Sequence, residues 1–330
     1  LMLPIVSIAS AHANLKTHSM SPSPEHLIIT FTANLAAETT YYVDDWGPGQ
    51  TSRATRERFQ VGGKGINVSK MLKRLHHPTT AVCFPGGHFG DCCRLWLDEN
   101  GIPYQAFTRD CITRSGSIIR DPKDKEISIL GLDCQVSKIA VQQSMEFLSN
   151  LSAPYTLAIC GVLPDWTSDQ WQPLREWISH RDSKVDLAID TYGEGLRWFV
   201  KQSPDIVKIN RDELNTLFDE DVSANDAPTL LEQVAQSYQS GAWIITDGSG
   251  PIFCRSTAGT IHSHQPRATN CVSPIGCGDV FFATYLHAIR DSSVDSKAAL
   301  ALAAEYASRN AASEGIADFN LDETTRTYCE

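Results

Sequence analysis

The sequence contains no run of lysine and arginine and no long apolar run. Its net charge is −11 over 330 residues, so it lacks the basic face that nucleic-acid binding needs. No apolar stretch approaches the roughly 20 residues that a membrane helix requires. These absences argue against nucleic-acid and membrane partners, and they predict that an anionic substrate would depend on local positive charge.

The ten cysteines include no Cys-x-x-Cys pair, and the chain is too long for a disulfide scaffold. Metal-ligand spacing is missing as well. His262 and His264 alternate in a strand-like stretch, which is more typical of two surface side chains than of a zinc site. We therefore expect mostly reduced thiols in a cytoplasmic enzyme.

The chain ends are expected to lie outside the folded domain. Leu1 to Ala13 is apolar and ends in Ala-His-Ala, as at a signal-peptide cleavage site, but a positively charged region is missing before it. We interpret residues 1–26 as a leader or tag-like extension, with secretion as the alternative, and residues 321–330 as a C-terminal tail. Residues 27–320 would then form a single domain, as α/β chains of this length often do.

Strand-like apolar runs alternate with helix-period segments along the chain, which predicts a mostly parallel sheet covered by helices on both faces. Such sheets bind ligands at the carboxyl ends of their strands. The predicted strands are 27–33, 79–84, 156–161, 185–189, 205–208 and 242–246. The predicted helices are 66–75, 92–100, 137–148, 168–180, 211–218, 229–238, 278–290 and 296–312.

Two stretches, 40–60 and 116–130, interrupt this alternation. Both are rich in β-branched or alternating residues and lack helical periodicity. They predict short inserted strands that together form a small sheet over the strand ends. A lid is the function that such a sheet would serve, because a closed lid excludes water from a site at the strand ends, and a simple extension of the sheet edge is the alternative.

The strongest motif is Ser273-Pro-Ile-Gly-Cys-Gly-Asp279, directly before an apolar run. Gly276 and Gly278 let the main chain approach a ligand, and the following helix points unpaired N–H groups at the loop. This pattern predicts an anion hole for a transferred phosphoryl group. Asp279 is the carboxylate expected to deprotonate the attacking hydroxyl, with a simple helix cap as the alternative.

A second glycine-rich motif, Val61-Gly-Gly-Lys-Gly-Ile-Asn-Val68, precedes an amphipathic helix. Its small residues would admit a substrate, and Lys64 and Asn67 would supply polar contacts at the helix start. It is not a nucleotide-binding P-loop, because the glycine spacing and the Ser/Thr after the lysine are missing. A plain glycine-rich turn is the alternative.

Together these motifs resemble the signatures of the PfkB carbohydrate kinases. Gly62-Gly63-Lys64-Gly65-x-Asn67 is similar to the N-terminal signature, and Pro274-Ile-Gly-Cys-Gly-Asp279 is similar to the C-terminal one, in the family's order and separation. Cys160-Gly-Val-Leu-Pro164 and Lys208-Ile-Asn-Arg-Asp-Glu213 resemble family segments that lie between them. The resemblance extends from about residue 27 to about residue 315.

The resemblance implies a ribokinase-like three-layer α/β/α sandwich, with a mostly parallel central sheet and a small β-sheet lid. It implies ATP as co-substrate and Mg²⁺ bound through the nucleotide phosphates, with Asn210 and Glu213 as indirect contributors. The residues that we assign to catalysis are Asp279, Gly276, Cys277 and Gly278. The predicted substrate-binding residues are Asn34, Glu38, Gly62, Gly63, Lys64, Asn67 and Arg114. The predicted nucleotide-binding residues are Lys208, Asn210, Glu213, Thr246, Asp247, Gly248 and Gly250.

The lysine of Gly-Gly-Lys-Gly and the pair Thr113-Arg114 favour the subfamily that phosphorylates sugar phosphates, which includes 1-phosphofructokinase and tagatose-6-phosphate kinase. Lys64 and Arg114 would hold the substrate phosphate through charge-assisted hydrogen bonds, and a solvated Arg114 is the alternative. Glu38 stands where the family has aspartate and reaches one methylene further, so the accepted sugar would differ. Cys277 stands where alanine is typical, and we interpret it as a buried thiol.

The sequence therefore predicts an enzyme that moves the γ-phosphoryl group of MgATP to a hydroxyl of a sugar phosphate, such as fructose 1-phosphate or tagatose 6-phosphate. One alternative is a kinase for an unphosphorylated sugar or a nucleoside. Another is a non-catalytic descendant that senses sugar or nucleotide. Lids of this family sometimes pair between subunits, so a homodimer through the lid is a further expectation.

Overall fold

The computed structural model describes residues 26–122, 126–219, 222 and 225–321. Nearly all of the predicted leader and tail therefore lies outside the described residues. The strands are β1 (Leu27–Thr32), β2 (Ala36–Tyr42), β3 (Arg56–Gly62), β4 (Thr79–Cys83), β5 (Tyr104–Ala106), β6 (Arg114–Arg120), β7 (Glu126–Leu130), β8 (Tyr155–Cys160), β9 (Val185–Asp190), β10 (Ile206–Asn210), β11 (Ala242–Thr246), β12 (Ile252–Arg255) and β13 (Ile261–His264). The helices are α1 (Lys64–Arg74), α2 (Gly87–Glu99), α3 (Lys138–Ser149), α4 (Gln172–Ser179), α5 (Gly193–Phe199), α6 (Arg211–Asn215), α7 (Ala227–Ser237), α8 (Cys277–Ala288) and α9 (Ser296–Ala311).

The main sheet has the strand order β13-β12-β11-β10-β9-β8-β1-β4-β5. The strands from β5 to β11 are parallel, and β12 and β13 add an antiparallel edge. From β1 the chain builds outward to β4 and β5, and later returns to β8 on the other side of β1. The strand order thus reverses between β1 and β8, which opens a crevice at the carboxyl ends of these strands.

Helices cover both faces of this sheet, so its strands are apolar on both sides. In β1, Ile28 packs with α1, α8 and α9, whereas its neighbours Ile29 and Phe31 belong to the cluster formed with α2, α3, α4, α5 and α7. The same alternation continues along the other central strands. The predicted three-layer sandwich around a mostly parallel sheet is confirmed.

A second, smaller sheet has the order β3-β2-β6-β7. Its strands overlap the stretches 40–60 and 116–130, but β2 already begins at Ala36 and β6 at Arg114, where the two strands pair in parallel register. The insertions follow β1 and β5, whose carboxyl ends lie at one edge of the main sheet. The small sheet is therefore attached beside the crevice.

Some elements were not predicted from the sequence. Helix α5 contains Gly193 and Gly195, and glycine weakens the helical pattern. Strands β5 and β12 have only three and four residues, too few for a clear period. Within the described ranges, no helix combines the length and apolar character needed to cross a membrane.

Candidate active site

Two helices begin beside the crevice. Helix α1 follows Gly63, whose φ is 123°, and α8 follows Gly276, whose φ is 75°. Both values fall where a side chain would strain the main chain. The first turn of each helix leaves main-chain N–H groups without helical acceptors, and the helix dipole adds partial positive charge there. Two anion-attracting ends are thus available at one location.

Asp279 lies in the first turn of α8 and is 6% exposed. Asn67 Nδ2, from the first turns of α1, donates a hydrogen bond to Asp279 Oδ2 at 2.7 Å. Burial raises the pKa of Asp279; Lys64 opposes this shift and Asp190 adds to it. A carboxylate with a raised pKa is a stronger proton acceptor, and the contact with Asn67 engages only Oδ2.

Polar residues at the strand ends face these helix starts because of the two-residue period of a strand. Asp190 shares its face of β9 with Ala188, and Lys208 shares its face of β10 with Ile206. Ala188 and Ile206 belong to the core formed with α1, α8 and α9. The charged ends of β9 and β10 therefore point to the side on which α1 and α8 begin.

Asp190 is fully buried and binds two lysines. Lys64 Nζ lies 2.8 Å from Asp190 Oδ1, and Lys208 Nζ lies 3.0 Å from Oδ2. Burial alone would raise the pKa of Asp190, but the two ammonium groups outweigh it and lower that pKa. Burial likewise opposes the charge on Lys64, yet Asp190, Asp279 and Glu213 together raise its pKa. Lys64 thus stays positively charged beside Asp279.

Lys208 also lies against the glycine loop, defined here as residues 272–278, which leads into the first turn of α8. A Cβ placed on Gly278 would come within 2.8 Å of Lys208 Nζ, so only glycine allows this approach. The next strand end, Thr246 of β11, pairs with Asn210 of β10 and continues into a tight turn. In that turn Gly248 has a φ of 53°, a main-chain conformation that favours glycine.

Asn210 and Glu213 form a capping box at the start of α6. Glu213 N donates to the Asn210 side-chain oxygen, and Asn210 N donates to Glu213 Oε2, each at 2.8 Å. The other carboxylate oxygen, Oε1, lies 4.0 Å from Lys64 Nζ. The two residues predicted as indirect magnesium contributors therefore fix the local main chain and leave one oxygen directed to the lysine.

On the opposite side of the crevice, Arg114 and Asn34 converge on Asp133. Arg114 Nη1 lies 3.3 Å from Asp133 Oδ1, and Asn34 Nδ2 donates to the same oxygen at 2.7 Å. The Asn34 side-chain oxygen accepts the N–H of Cys134 at 3.0 Å. Arg114 is largely buried, and its Nε has no partner among the described residues. A buried N–H without an acceptor is costly, so this atom favours an incoming anion.

Glu38 lies on the inner face of the small sheet, where two glycines make room for it. A Cβ on Gly62 would overlap the Glu38 carboxylate, and one on Gly116 would come within 3.0 Å of Glu38 Cγ. Gln60 Nε2 donates to Glu38 Oε2 at 3.3 Å. Burial raises the pKa of Glu38, Gln60 and Arg114 lower it in part, and the charge of Asp279 raises it further.

The structure thus brings the predicted residues into two groups, one around Asp279 and one around Arg114 and Glu38. Asp190 and Asp133 were missed. The sequence did offer a signal for Asp190, because a carboxylate directly after a buried parallel strand lies at the ligand-binding edge of the sheet. Asp133 lies in an irregular segment between β7 and α3, where the sequence has no comparable pattern.

A buried carboxylate beside two lysines and two helix starts is the arrangement expected of an enzyme that acts on an anionic group. A family model described as pfkB family carbohydrate kinase matches residues 32–323, most of the chain. The protein belongs to this family and is a carbohydrate kinase, as the signatures predicted.

Curated relatives and solved structures agree with this assignment. The chain is 30% identical to 1-phosphofructokinase of Borreliella burgdorferi, with 81% of this chain and 86% of the relative covered. It is 25% identical to tagatose-6-phosphate kinase of Staphylococcus epidermidis, with 77% of this chain and 82% of the relative covered. It shares its fold with Escherichia coli phosphofructokinase-2, solved with substrates and products, at a TM-score of 0.82 and 18% identity over 92% of this chain and 98% of the other.

Proposed function

We propose that this carbohydrate kinase transfers the γ-phosphoryl group of ATP to a hydroxyl of a sugar phosphate, such as fructose 1-phosphate or tagatose 6-phosphate. The observation that carries the proposal is the contact of Asn67 with Asp279 at the meeting point of two helix starts and two lysines. It combines a base, anion-binding N–H groups and fixed positive charge within one buried site. The names of the relatives support a sugar phosphate as the acceptor.

Asp279 acts as the general base in this proposal. Its Oδ1 accepts the proton of the attacking hydroxyl, while the hydroxyl oxygen forms a bond to the γ-phosphorus and the bond to the β-phosphate oxygen breaks. The products are the phosphorylated sugar and ADP. Asn67 holds the carboxylate in place throughout, because its hydrogen bond engages only Oδ2.

Charge on the transferred group is stabilised by the glycine loop and by the two lysines. Gly276 and Gly278 present main-chain N–H groups at the start of α8, and Lys208 Nζ lies directly beside Gly278. The predicted contribution of Cys277 is weaker, because its N–H already donates to Pro274 O at 3.4 Å. Lys64 was predicted to hold the phosphate of the sugar. Its contacts with Asp190 and Glu213 instead favour the transferred phosphoryl group, which would approach from the strand ends of β9 and β10.

Magnesium suits this site only together with the nucleotide. Within the described residues no group of three or more His, Cys, Asp or Glu side chains is arranged to hold a metal ion. Mg²⁺ commonly keeps several waters and binds through substrate phosphates, so Glu213 Oε1 would contact it indirectly. When bound, the ion would neutralise charge on the phosphates, and Thr246, Asp247, Gly248 and Gly250 would border the nucleotide.

Arg114 is the residue proposed to bind the phosphate of the acceptor. Its unpaired Nε and its position beside Asn34 and Glu38 support this role, because those side chains would then contact the sugar hydroxyls. The small sheet carries Arg114 and Glu38 on one face, so it would act as a lid that excludes water from the reaction. The cytoplasm is the proposed location, in keeping with ten cysteines that show no pairing pattern.

The outer face of the small sheet supports the proposed homodimer. Phe59 and Ile129 lie in one cross-strand row through Thr39 and Ser117, and they are 37% and 56% exposed. A second copy of this sheet would cover these side chains. We expect Ile129→Lys to shift a dimer to a monomer in light scattering, and a wild-type monomer at all concentrations would contradict the proposal.

The direct test is ATP consumption with a panel of hexose phosphates and free sugars. Turnover on a phosphorylated ketose would establish the reaction. Consumption with free sugars alone would refute the role of Arg114. Saturable MgATP binding without turnover on any of them would indicate a different acceptor or a sensing function.

A further inference from the structure

The C-terminal segment, defined here as residues 313–319, follows α9 and lies between the small sheet and the glycine loop. Glu314 and Ile316 line a cavity together with Ser273 and Ile275 of the loop and with residues of the small sheet, namely Thr40, Tyr42, Arg58, Gln60, Ile118 and Arg120. None of the steps proposed above uses this segment. The segment and the end of α9 nevertheless contact both the glycine loop and the small sheet.

Asn310, in the last turn of α9, joins the segment to the glycine loop. It is 1% exposed. Its Nδ2 donates to the main-chain oxygen of Ile275 at 3.0 Å and lies 3.4 Å from Cys277 Sγ. Its Oδ1 accepts the N–H of Ala317 at 2.7 Å. One buried amide therefore satisfies main-chain groups on both sides, which would otherwise be buried without partners.

Further contacts hold the glycine loop against the end of α9 and the C-terminal segment. The main-chain N–H groups of Val272 and Ser273 both donate to Ala311 O, at 2.7 and 3.1 Å. A Cβ on Gly276 would come within 2.5 Å of Ile316 Cγ2, so the loop packs directly on the C-terminal segment. The main-chain course of the loop depends on this support.

The other side of the segment is bound to the small sheet. Glu314 accepts hydrogen bonds from Arg56 Nη2 at 2.7 Å and from Tyr42 OH at 3.2 Å. Asp318 accepts a hydrogen bond from Arg58 and another from Lys70 of α1, the latter at 3.0 Å. Strands β2 and β3 are thereby connected to α1 and, through the segment, to α9.

We propose that Asn310 is a positioning residue for phosphoryl transfer, and that it couples the small sheet to the anion-binding loop through the C-terminal segment. The loop N–H groups stabilise charge only if they are held in place, and a displacement of about 1 Å is enough to cost roughly a hundred-fold in rate. Asn310 determines where the Ile275 carbonyl lies, two residues before the first turn of α8. The inference rests on the proposed function of that loop.

Asn310→Leu keeps the size of the side chain and removes all three polar contacts, which makes it the test variant. The matched control is Leu300→Ala, which opens a cavity at a fully buried position of the same helix and leaves the loop contacts intact. At a temperature where both are folded, Asn310→Leu should lower kcat about tenfold or more, with KM for the sugar phosphate within about twofold. Leu300→Ala should retain kcat even if its Tm falls further. Equal kcat in both variants would overturn the proposal.

A double-mutant cycle tests the coupling itself. Asp318→Asn weakens the contacts to Arg58 and Lys70, and it should lower kcat in the wild type but add little in the Asn310→Leu background. Additive effects would overturn the coupling. Asp169→Asn, which breaks the exposed ion pair with Lys138 far from the loop, should leave kcat unchanged.

Two further measurements apply if Asn310→Leu does not fold or if the wild type does not catalyse the proposed reaction. If Asn310→Leu does not fold, Asn310→Ser takes its place in the same comparison. If the wild type turns over no sugar phosphate, the proposed function fails, and MgATP binding becomes the readout. Asn310→Leu should then bind MgATP at least about tenfold more weakly than Leu300→Ala, and equal binding would overturn the inference.

Discussion

Asn67 Nδ2 lies 2.7 Å from Asp279 Oδ2, and this contact joins two helix starts that are 212 residues apart in the sequence. Each residue belongs to one of the two glycine-rich motifs. Separately, the motifs are open to the simpler interpretations of a helix cap and a turn. Their contact makes them parts of one buried site and explains why both must occur in the same chain.

Asp279→Asn should abolish activity and raise stability. Loss of the base should lower kcat by roughly a hundred-fold or more. Because burial raises the pKa of Asp279, the folded protein holds this proton more tightly than the unfolded chain, so the charged carboxylate costs stability at neutral pH. Thermal unfolding should show a higher Tm for the variant at pH 7, with the gain shrinking as the pH falls toward 4. A joint loss of Tm and kcat would indicate a structural role.

Asp190→Asn should destabilise the protein strongly, because it leaves two ammonium groups without their buried counter-charge. Removing one partner from a buried ion pair typically costs about 3–5 kcal/mol. Urea unfolding of Asp190→Asn and of Asp190→Asn/Lys208→Met would measure the effect, and the double variant should recover part of the loss. If Asp190→Asn were as stable as the wild type, the lysines would not depend on this carboxylate.

Acid should destabilise the protein through His77, whose Nδ1 lies 3.1 Å from His287 Nδ1. Burial and the charge of His287 lower the pKa of His77 to about 4 from an ordinary 6.5, and His26 and Arg290 face the same pair. The unfolded chain takes up a proton in this window and the folded protein does not. The free energy of unfolding should therefore fall as the pH decreases from 6.5 to 4.

His77→Gln should flatten this pH dependence in urea titrations between those two pH values. Substitution of the exposed His88 by glutamine serves as the control and should leave the slope unchanged. An unaltered slope in His77→Gln would assign the acid sensitivity to other groups.

His76→Gly should stabilise the protein. His76 follows the end of α1 with a φ of 55°, and His77 N donates to Leu72 O at 2.9 Å, the bonding pattern of a glycine-terminated helix. Glycine adopts this conformation without the strain of a Cβ, so we expect a gain of up to about 1 kcal/mol. His76→Ala keeps the strain and should give no gain in Tm.

Local patterns predicted the central strands, most helices and the residues of the two glycine motifs, because the period and the glycines are properties of neighbouring residues. Asp190 was missed although its strand was predicted, since its pairing with Lys64 and Lys208 depends on the order of strands in the sheet. The contacts of Glu314 and Asp318 with the small sheet span more than 250 residues and follow no periodic pattern. Interactions of this kind are set by tertiary packing alone.

Arg114→Gln should distinguish a sugar phosphate from a free sugar as the acceptor. The variant removes a charged partner of the phosphate, and hydrogen bonds to charged groups contribute about 1.5–3 kcal/mol, or roughly 10- to 100-fold in KM. KM for the sugar phosphate should rise by that factor, while turnover of any free sugar and KM for ATP stay the same. Arg94→Gln is the matched control, because it removes an arginine from an exposed ion pair with Asp91 and should not raise KM. Equal shifts for phosphorylated and free sugars would mean that Arg114 supports the fold of the small sheet and does not bind the substrate phosphate.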